Sequence, residues 1–503
     1  MLISRAISRL RRSSAWISVV VLTGCTASFA SGDAEWPPTA RKWFDRAEAS
    51  FRVGDTEDAR AAVDNALRVV PRREEARVLS AKIALADLEY DRALASINDI
   101  QTTEASSVRG RAYWYGGQVE KAADELERLL ADPEVRDPWA KEIAKLARLG
   151  VGRSPFAISG GQIAVTDMPR AGTPSLIVPL ELNGEPALGL VATGMAEAVI
   201  DSSGGAKPSW VSLRFGERIE VRDVPALAED LSGLSKQINA PIKILLGVNV
   251  LRHLHPTFDF AGGQFVVRSF DPPTPPAATT VRLSYIRGGG MLMRGALGSE
   301  AAQSCSLLVD TTHTFTIALD DGGWRKAGVN PNTLQPVPGG GQLKHGVLPS
   351  LKLGAFEVPR VPGIAGESVI KQREDGLGIE LDGLVGSGLL ATFRVTLVDG
   401  GRTMWLEDLP QEALNQPSLF ATPPSAIDQN FDDPDVDTDA EEAPEAPAKG
   451  GKAAPKAKAP PAPKAAPAAP APAPAPAPAA PKAPAPAPAP AAPKAPAPAG
   501  AKP

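Results

Sequence analysis

The sequence predicts a multidomain α + β protein: a helical array over residues 38–150, a mostly β region over residues 155–415 and a disordered tail over residues 420–503. Three observations predict it. After Pro38, small and apolar residues recur at helical spacing with an internal repeat. After Pro155 the pattern changes to short runs of Val, Ile, Leu and Thr broken by Gly and Pro, which read as strands and turns. From Ala446 the chain is almost purely Pro, Ala, Lys and Gly, a composition that cannot offset its ordering entropy by burying apolar surface.

The N-terminus has the parts of an export signal over residues 1–24. Arg5, Arg9, Arg11 and Arg12 precede the apolar run Ala15 to Leu22, which is shorter than the roughly 20 apolar residues a spanning helix needs. Leu22-Thr23-Gly24-Cys25 follows directly and resembles the lipobox of bacterial lipoproteins, which implies cleavage before Cys25 and lipidation of its thiol. The competing reading is ordinary cleavage after Ser28-Phe29-Ala30. With lipid on Cys25, the chain is expected on a membrane of the bacterial envelope, facing the periplasm, with Thr26 leaning toward the outer membrane. Residues 25–37 then form a linker. Cys305 is the remaining cysteine, so no internal disulfide is expected, and its strand-like surroundings favour burial.

Between 38 and 150, Trp43, Ala47, Gly54, Ala59, Val63, Ala66 and Pro71 mark a first unit, with Ala81, Ala93 and Ile97 in a second. Gly110, Tyr113, Gly117, Ala122, Leu126, Leu129 and Pro133 mark a third. This spacing resembles a tetratricopeptide array, which implies paired helices that stack on their neighbours. Two roles stand open: a groove for a peptide or protein partner, and a packing platform for the region behind it.

The β region contains two similar stretches. The first, within 155–270, has Ile177-Val178-Pro179-Leu180, then Leu190-Val191-Ala192-Thr193-Gly194, Leu245-Leu246-Gly247 and Phe258-Asp259-Phe260. The second, within 278–415, has Leu307-Leu308-Val309-Asp310-Thr311-Thr312, Leu384-Val385-Gly386-Ser387-Gly388-Leu389-Leu390 and Val395-Thr396-Leu397. The pattern resembles the retropepsin-like aspartic proteases, with both copies in one chain. The resemblance implies a bilobal double retropepsin-like module in which each copy offers one Asp at a shared two-fold axis. Two carboxyls close together cannot both ionise cheaply, so they share the proton that acid–base hydrolysis of a peptide bond needs.

The family's site carries over unevenly. Asp310 matches the catalytic Asp and Thr311 the Thr that braces the paired loops, while Thr312 replaces the family's Gly. In the first copy Thr193 and Gly194 match, but Ala192 stands where the Asp belongs. Pro338-Gly339-Gly340-Gly341-Gln342 is expected to form a flap hairpin in the second copy, and the first copy is too short to carry one. Three readings follow: in-chain pairing that gives a one-Asp pseudoprotease able to bind peptides, an endopeptidase rebuilt by a homodimer with an Asp310–Asp310 dyad, and a β fold that only looks like a protease.

No cofactor or metal site is expected. His253 and His255 alternate, and on a strand they would share a face, but no third ligand lies near in sequence. His313 and His345 stand alone, and the glycine runs at 288–290 and 339–341 lack phosphate-loop spacing. A net charge of −5 without a basic, aromatic-studded patch gives no case for nucleic acid. The tail opens with an acidic stretch from Asp428 to Glu445 and holds 21 of the chain's 50 prolines from Pro444 on. As polyproline II, roughly 55 such residues reach ~170 Å. It reads as a solvated spacer or as a contact to the anionic cell wall.

Overall fold

Helices fill the first third of the described chain and strands the rest. The computed structural model describes residues 35–169, 173–298, 302–337 and 343–408. The expectations of an export signal, of lipidation at Cys25, of a flap hairpin at Pro338–Gln342 and of a disordered tail fall on residues outside the described ones.

Seven helices run between residues 38 and 149: α1 (Pro38–Arg52), α2 (Thr56–Val69), α3 (Glu74–Ala86), α4 (Tyr90–Ile97), α5 (Thr103–Tyr115), α6 (Val119–Leu130) and α7 (Pro138–Leu149). Local chemistry starts them. Asp55, Thr102 and Asp137 accept from backbone N–H groups in the first turns of α2, α5 and α7, and prolines open α1 and α7, where their missing N–H costs nothing. Ala47, Ala59, Ala66, Ala81, Ala93 and Ala122 are fully buried; their small side chains let the helices approach closely.

The β region grips the array along one edge. Ser306 Oγ donates to Val53 O just past the end of α1, and Arg294 adds a bond of 3.1 Å. Tyr285 N reaches Ala86 O at the end of α3 (2.7 Å). Arg252 Nη2 reaches Tyr115 O at the end of α5 (2.7 Å), and Trp210 Nε1 reaches Leu146 O in the last turn of α7 (2.9 Å). The last carbonyls of a helix have no partner within it, and four helix ends here find theirs in the β region. The expected platform role therefore has a physical form.

The first lobe contains β1 (Ala157–Gly160), β2 (Ile163–Asp167), β3 (Ile177–Leu182), β4 (Glu185–Ala192), β5 (Ala198–Asp201), β6 (Ser209–Phe215), β7 (Ile219–Glu229), α8 (Ser232–Ile238), β8 (Ile242–Gly247), α9 (Val248–Leu251), β9 (Thr257–Asp259) and β10 (Gln264–Arg268). The second contains β11 (Thr279–Ser284), β12 (Met291–Leu297), β13 (Gln303–Val309), β14 (Ile317–Leu319), α10 (Asp321–Lys326), β15 (Gln335–Pro336), β16 (Lys344–Leu353), β17 (Phe356–Ala365), α11 (Glu367–Leu377), β18 (Gly383–Val385), α12 (Ser387–Leu390), β19 (Phe393–Val398) and β20 (Thr403–Asp408).

The strand pairings repeat from lobe to lobe. In the first, β4 runs parallel to β8, β5 antiparallel to β8, and β5 parallel to β7. In the second, β13 and β18, β14 and β18, and β14 and β17 pair in the same senses. Gly247 and Gly386 sit where each lobe's chain crosses itself. A β-carbon there would lie 2.1 Å from Glu197 O and 2.2 Å from Phe315 O, respectively. The lobes meet in a shared sheet, ordered β11-β20-β19-β9-β10-β2. At its centre Thr257 pairs with Thr396, and their buried hydroxyls bond at 2.9 Å.

One difference breaks the repeat. In the second lobe β15 pairs with β16. The first lobe goes from β5 to β6 with no strand in between.

A second contact lies on the same axis. Thr311 Oγ1 donates to Val191 O (2.6 Å) and accepts from Thr193 N (3.1 Å), while Thr193 Oγ1 donates to Val309 O (2.7 Å) and accepts from Thr311 N (3.1 Å). All of it is buried. Thr311→Val is expected to destabilise the chain by about 2–4 kcal/mol, since it strands two buried backbone groups at about 1–3 kcal/mol each. Thr311→Ser should restore most of that in urea unfolding. A cost below about 1 kcal/mol for the valine variant would contradict the grip.

Candidate functional site

The apolar strands β4 and β13 deliver Ala192 and Asp310 to matching places. Ala192 is the last residue of β4 and pairs with Gly247. Asp310 follows β13, and its N–H donates to Val385 O, next to Gly386 (2.8 Å). The structure thus brings together all five site residues the sequence singled out in this region: Ala192, Thr193, Gly194, Asp310 and Thr311. It does so within one chain. The two threonines spend on each other the surface that an Asp310–Asp310 pairing between two molecules would require.

Asp310 has no exposed surface, and both of its oxygens are engaged. Oδ1 accepts from the N–H of Thr312 (3.1 Å) and from its hydroxyl (2.6 Å). Oδ2 accepts from Arg373 Nη2 on α11 (2.7 Å), with His313 Nε2 at 3.8 Å. From the other lobe Gly194 presses on the carboxyl: a β-carbon there would lie 2.4 Å from Asp310 Cγ and Oδ2. Thr312 thus supplies both a backbone and a hydroxyl bond to one carboxylate oxygen.

Electrostatics follow from these contacts. Burial pushes the Asp310 carboxyl up, but the Arg373 charge, then His313 and the Thr312 bonds, together hold it below the ordinary carboxylate value. Burial lowers the pKa of His313 despite the attraction of Asp310. The arrangement is a single ionised carboxylate locked to a guanidinium. The partner position carries a methyl group, which neither donates nor accepts a proton.

Sequence reasoning missed Arg373 and His313. Arg373 lies in the charged run Lys371-Gln372-Arg373-Glu374-Asp375, where nothing distinguishes it from a solvated helix face. His313 stood alone as a motif, though its place three residues after Asp310 was a signal.

The other candidates resolve differently. His253 and His255 do not share a strand face: they follow α9 in a turn, and His255 has φ +40°. His253 stacks on Phe156 at 4.4 Å, and burial lowers its pKa to about 3. His255 Nδ1 lies 2.6 Å from an Asp271 oxygen. Among the described residues no group of three His, Cys, Asp or Glu could hold a metal ion. Cys305 is fully buried, and burial pushes its thiol up to about 12. Gly288–Gly290 form part of the turn that carries the chain into β12.

No family model and no curated protein matches the chain. Solved structures similar to parts of it include the tetratricopeptide domain of Arabidopsis OM64, at 16% identity and TM-score 0.21, covering 22% of this chain and 94% of that one. A retropepsin-like aspartic protease from Rickettsia conorii matches at 18% identity and TM-score 0.20, covering 27% and 95%. The first tetratricopeptide domain of Spaghetti (RPAP3), bound to an HSP90 peptide, matches at 18% identity and TM-score 0.20, covering 22% and 93%.

The ion pair gives a signed test. In the native chain the lowered pKa of Asp310 adds stability that is present above its unfolded value and is lost as pH falls through the folded value. Arg373→Met leaves burial as the dominant influence, so the carboxyl should instead take up a proton. The variant is expected to lose about 3 kcal/mol at pH 7, as when one partner of a buried pair is removed. That loss should shrink between pH 7 and pH 4.5 in urea unfolding. A penalty equal at both pH values would contradict the pairing.

Proposed function

We propose that this chain is a membrane-tethered lipoprotein of the bacterial envelope whose double retropepsin-like module is a pseudoprotease. The module and the tetratricopeptide-like array serve together as a scaffold for a peptide or protein partner. One observation carries the reading: the only Asp at the paired loops is sealed, charged and matched by Arg373, while Ala192 takes the place of its partner. Hydrolysis of a peptide bond needs one carboxyl that holds a proton beside one that does not. With no exposed surface, Asp310 does not meet a peptide backbone directly, so partner recognition falls to other surfaces.

The continuous grip between array and lobes supports a shared scaffold role. The described residues fall within one compact unit, with helix ends bonded to the lobes at α1, α3, α5 and α7. Lipid on Cys25 rests on the sequence reading; each buried methylene would contribute about 0.8 kcal/mol, and stable attachment takes more than one chain.

The test uses the full-length chain. Incubated with unfolded casein between pH 3 and 7, it is expected to show no pepstatin-sensitive cleavage. Cleavage that disappears in Asp310→Ala would overturn the pseudoprotease reading. For the tether, Cys25→Ala is expected to move the protein from the membrane fraction to the soluble periplasmic fraction; continued sedimentation with membranes would count against lipidation.

A further inference from the structure

The loop that starts at Ala192 does more than meet Asp310. It continues through Thr193, Gly194, Met195 and Ala196 to Glu197, which leaves the lobe and enters the array. Only 8% of Glu197 is exposed. Three neutral donors converge on its Oε1: Trp114 Nε1 at 3.4 Å and Tyr115 hydroxyl at 3.2 Å from α5, and Trp139 Nε1 at 3.2 Å from α7. Aromatic rings wall the site, with Trp114 edge-on to Trp210 at 6.1 Å and Tyr115 beside Trp139 at 5.8 Å. From the lobe side, Asn249 and Arg252 border the same small cavity. Its interior, about 10 Å³, is the size of a single water molecule, so it does not admit an organic ligand.

We propose that Glu197 is a proton-linked clasp, through which the array's hold on the Ala192 loop is tightest with the carboxyl protonated and loosens as it ionises. The geometry supplies the coupling. Closing the seam takes a carboxylate out of water and gives it three uncharged donors, all on one oxygen. Burial makes an ionised carboxylate costly here, and the three donors, which favour the charged form, offset only part of that cost.

The groups facing it set the range. Arg111 of α5, stacked on Trp139 at 3.8 Å and paired with Asp137 at the start of α7, favours the charged form. Arg252 is held by Tyr115 O and Tyr90. Tyr115 stays protonated through the neutral range because burial, then the Glu197 charge, pushes its pKa well up. His253 is neutral above about 3. Burial outweighs the donors and Arg111 and raises the Glu197 carboxyl above its ordinary value. A group whose folded pKa is raised contributes stability that is full below its ordinary value and is lost as pH rises through the raised one.

The experiment labels the tryptophan indoles of the full chain and follows hydrogen exchange of the Trp114 and Trp139 N–H groups from pH 5 to 8. Exchange is expressed as protection relative to free indole at each pH. Protection in the native chain is expected to fall severalfold across this range. Glu197→Gln keeps the acceptor oxygen without the charge, so its protection should stay flat. Trp139→Phe removes one donor to the carboxylate and should move the midpoint to higher pH. Protection that is flat in the native chain, or that falls equally in Glu197→Gln, would overturn the clasp.

Discussion

A carboxylate without exposed surface must be answered from every side, and the arrangement around Asp310 meets that demand. Thr312 supplies two bonds from two residues on, Arg373 reaches in from α11, and Gly194 of the opposite lobe closes the remaining approach. The Thr312 and Arg373 bonds come from Asp310's own lobe, and the Gly194 approach requires the lobes to be held face to face. The reciprocal Thr193–Thr311 bonds do this at one point on the axis, and the Thr257–Thr396 pair does it at another. Burial of Asp310 therefore depends on lobe pairing through Gly194, while its charge pairing is built within the second lobe.

The same economy governs the array. Helix ends leave carbonyls without partners, and the second demand of a short repeat stack is a surface to cover its end helices. Both are met by the β region, which bonds to α1, α3, α5 and α7 in turn. Residues on α3 and α5 are buried nearly all round, as expected of helices sandwiched between neighbours and a second domain. Glu197 shows how closely the parts are joined: the strand that delivers Ala192 to Asp310 delivers Glu197 to the tryptophans of the array a few residues later.

Much of this is legible in the chain. The small residues Ala47, Ala59, Ala66 and Ala122 report close helix approach because only a methyl fits there. The change after Pro155 from helical spacing to short apolar runs broken by Gly and Pro coincides with the change from helices to strands. The apolar runs into Ala192 and Asp310, and the glycines at 247 and 386, mark crossings that a β-carbon would block. Other features depend on neighbours far apart in sequence. Nothing about Arg373 identifies it until α11 is laid over the second lobe, and Glu197 looks like any loop glutamate until three aromatic donors surround it. His253 and His255 show the converse failure: their alternation suggests a strand face, but a turn after α9 sends them to different partners.

The central claim is that Asp310 is a structural anion rather than an acid waiting for a partner. Its titration can be followed directly by carbon NMR of the aspartate carboxyls, assigned by comparison with Asp310→Asn. The account requires the Asp310 signal to stay ionised down to below the ordinary aspartate range, near pH 3.8. A carboxyl that takes up its proton well above that value, as a member of a shared-proton dyad would, contradicts it.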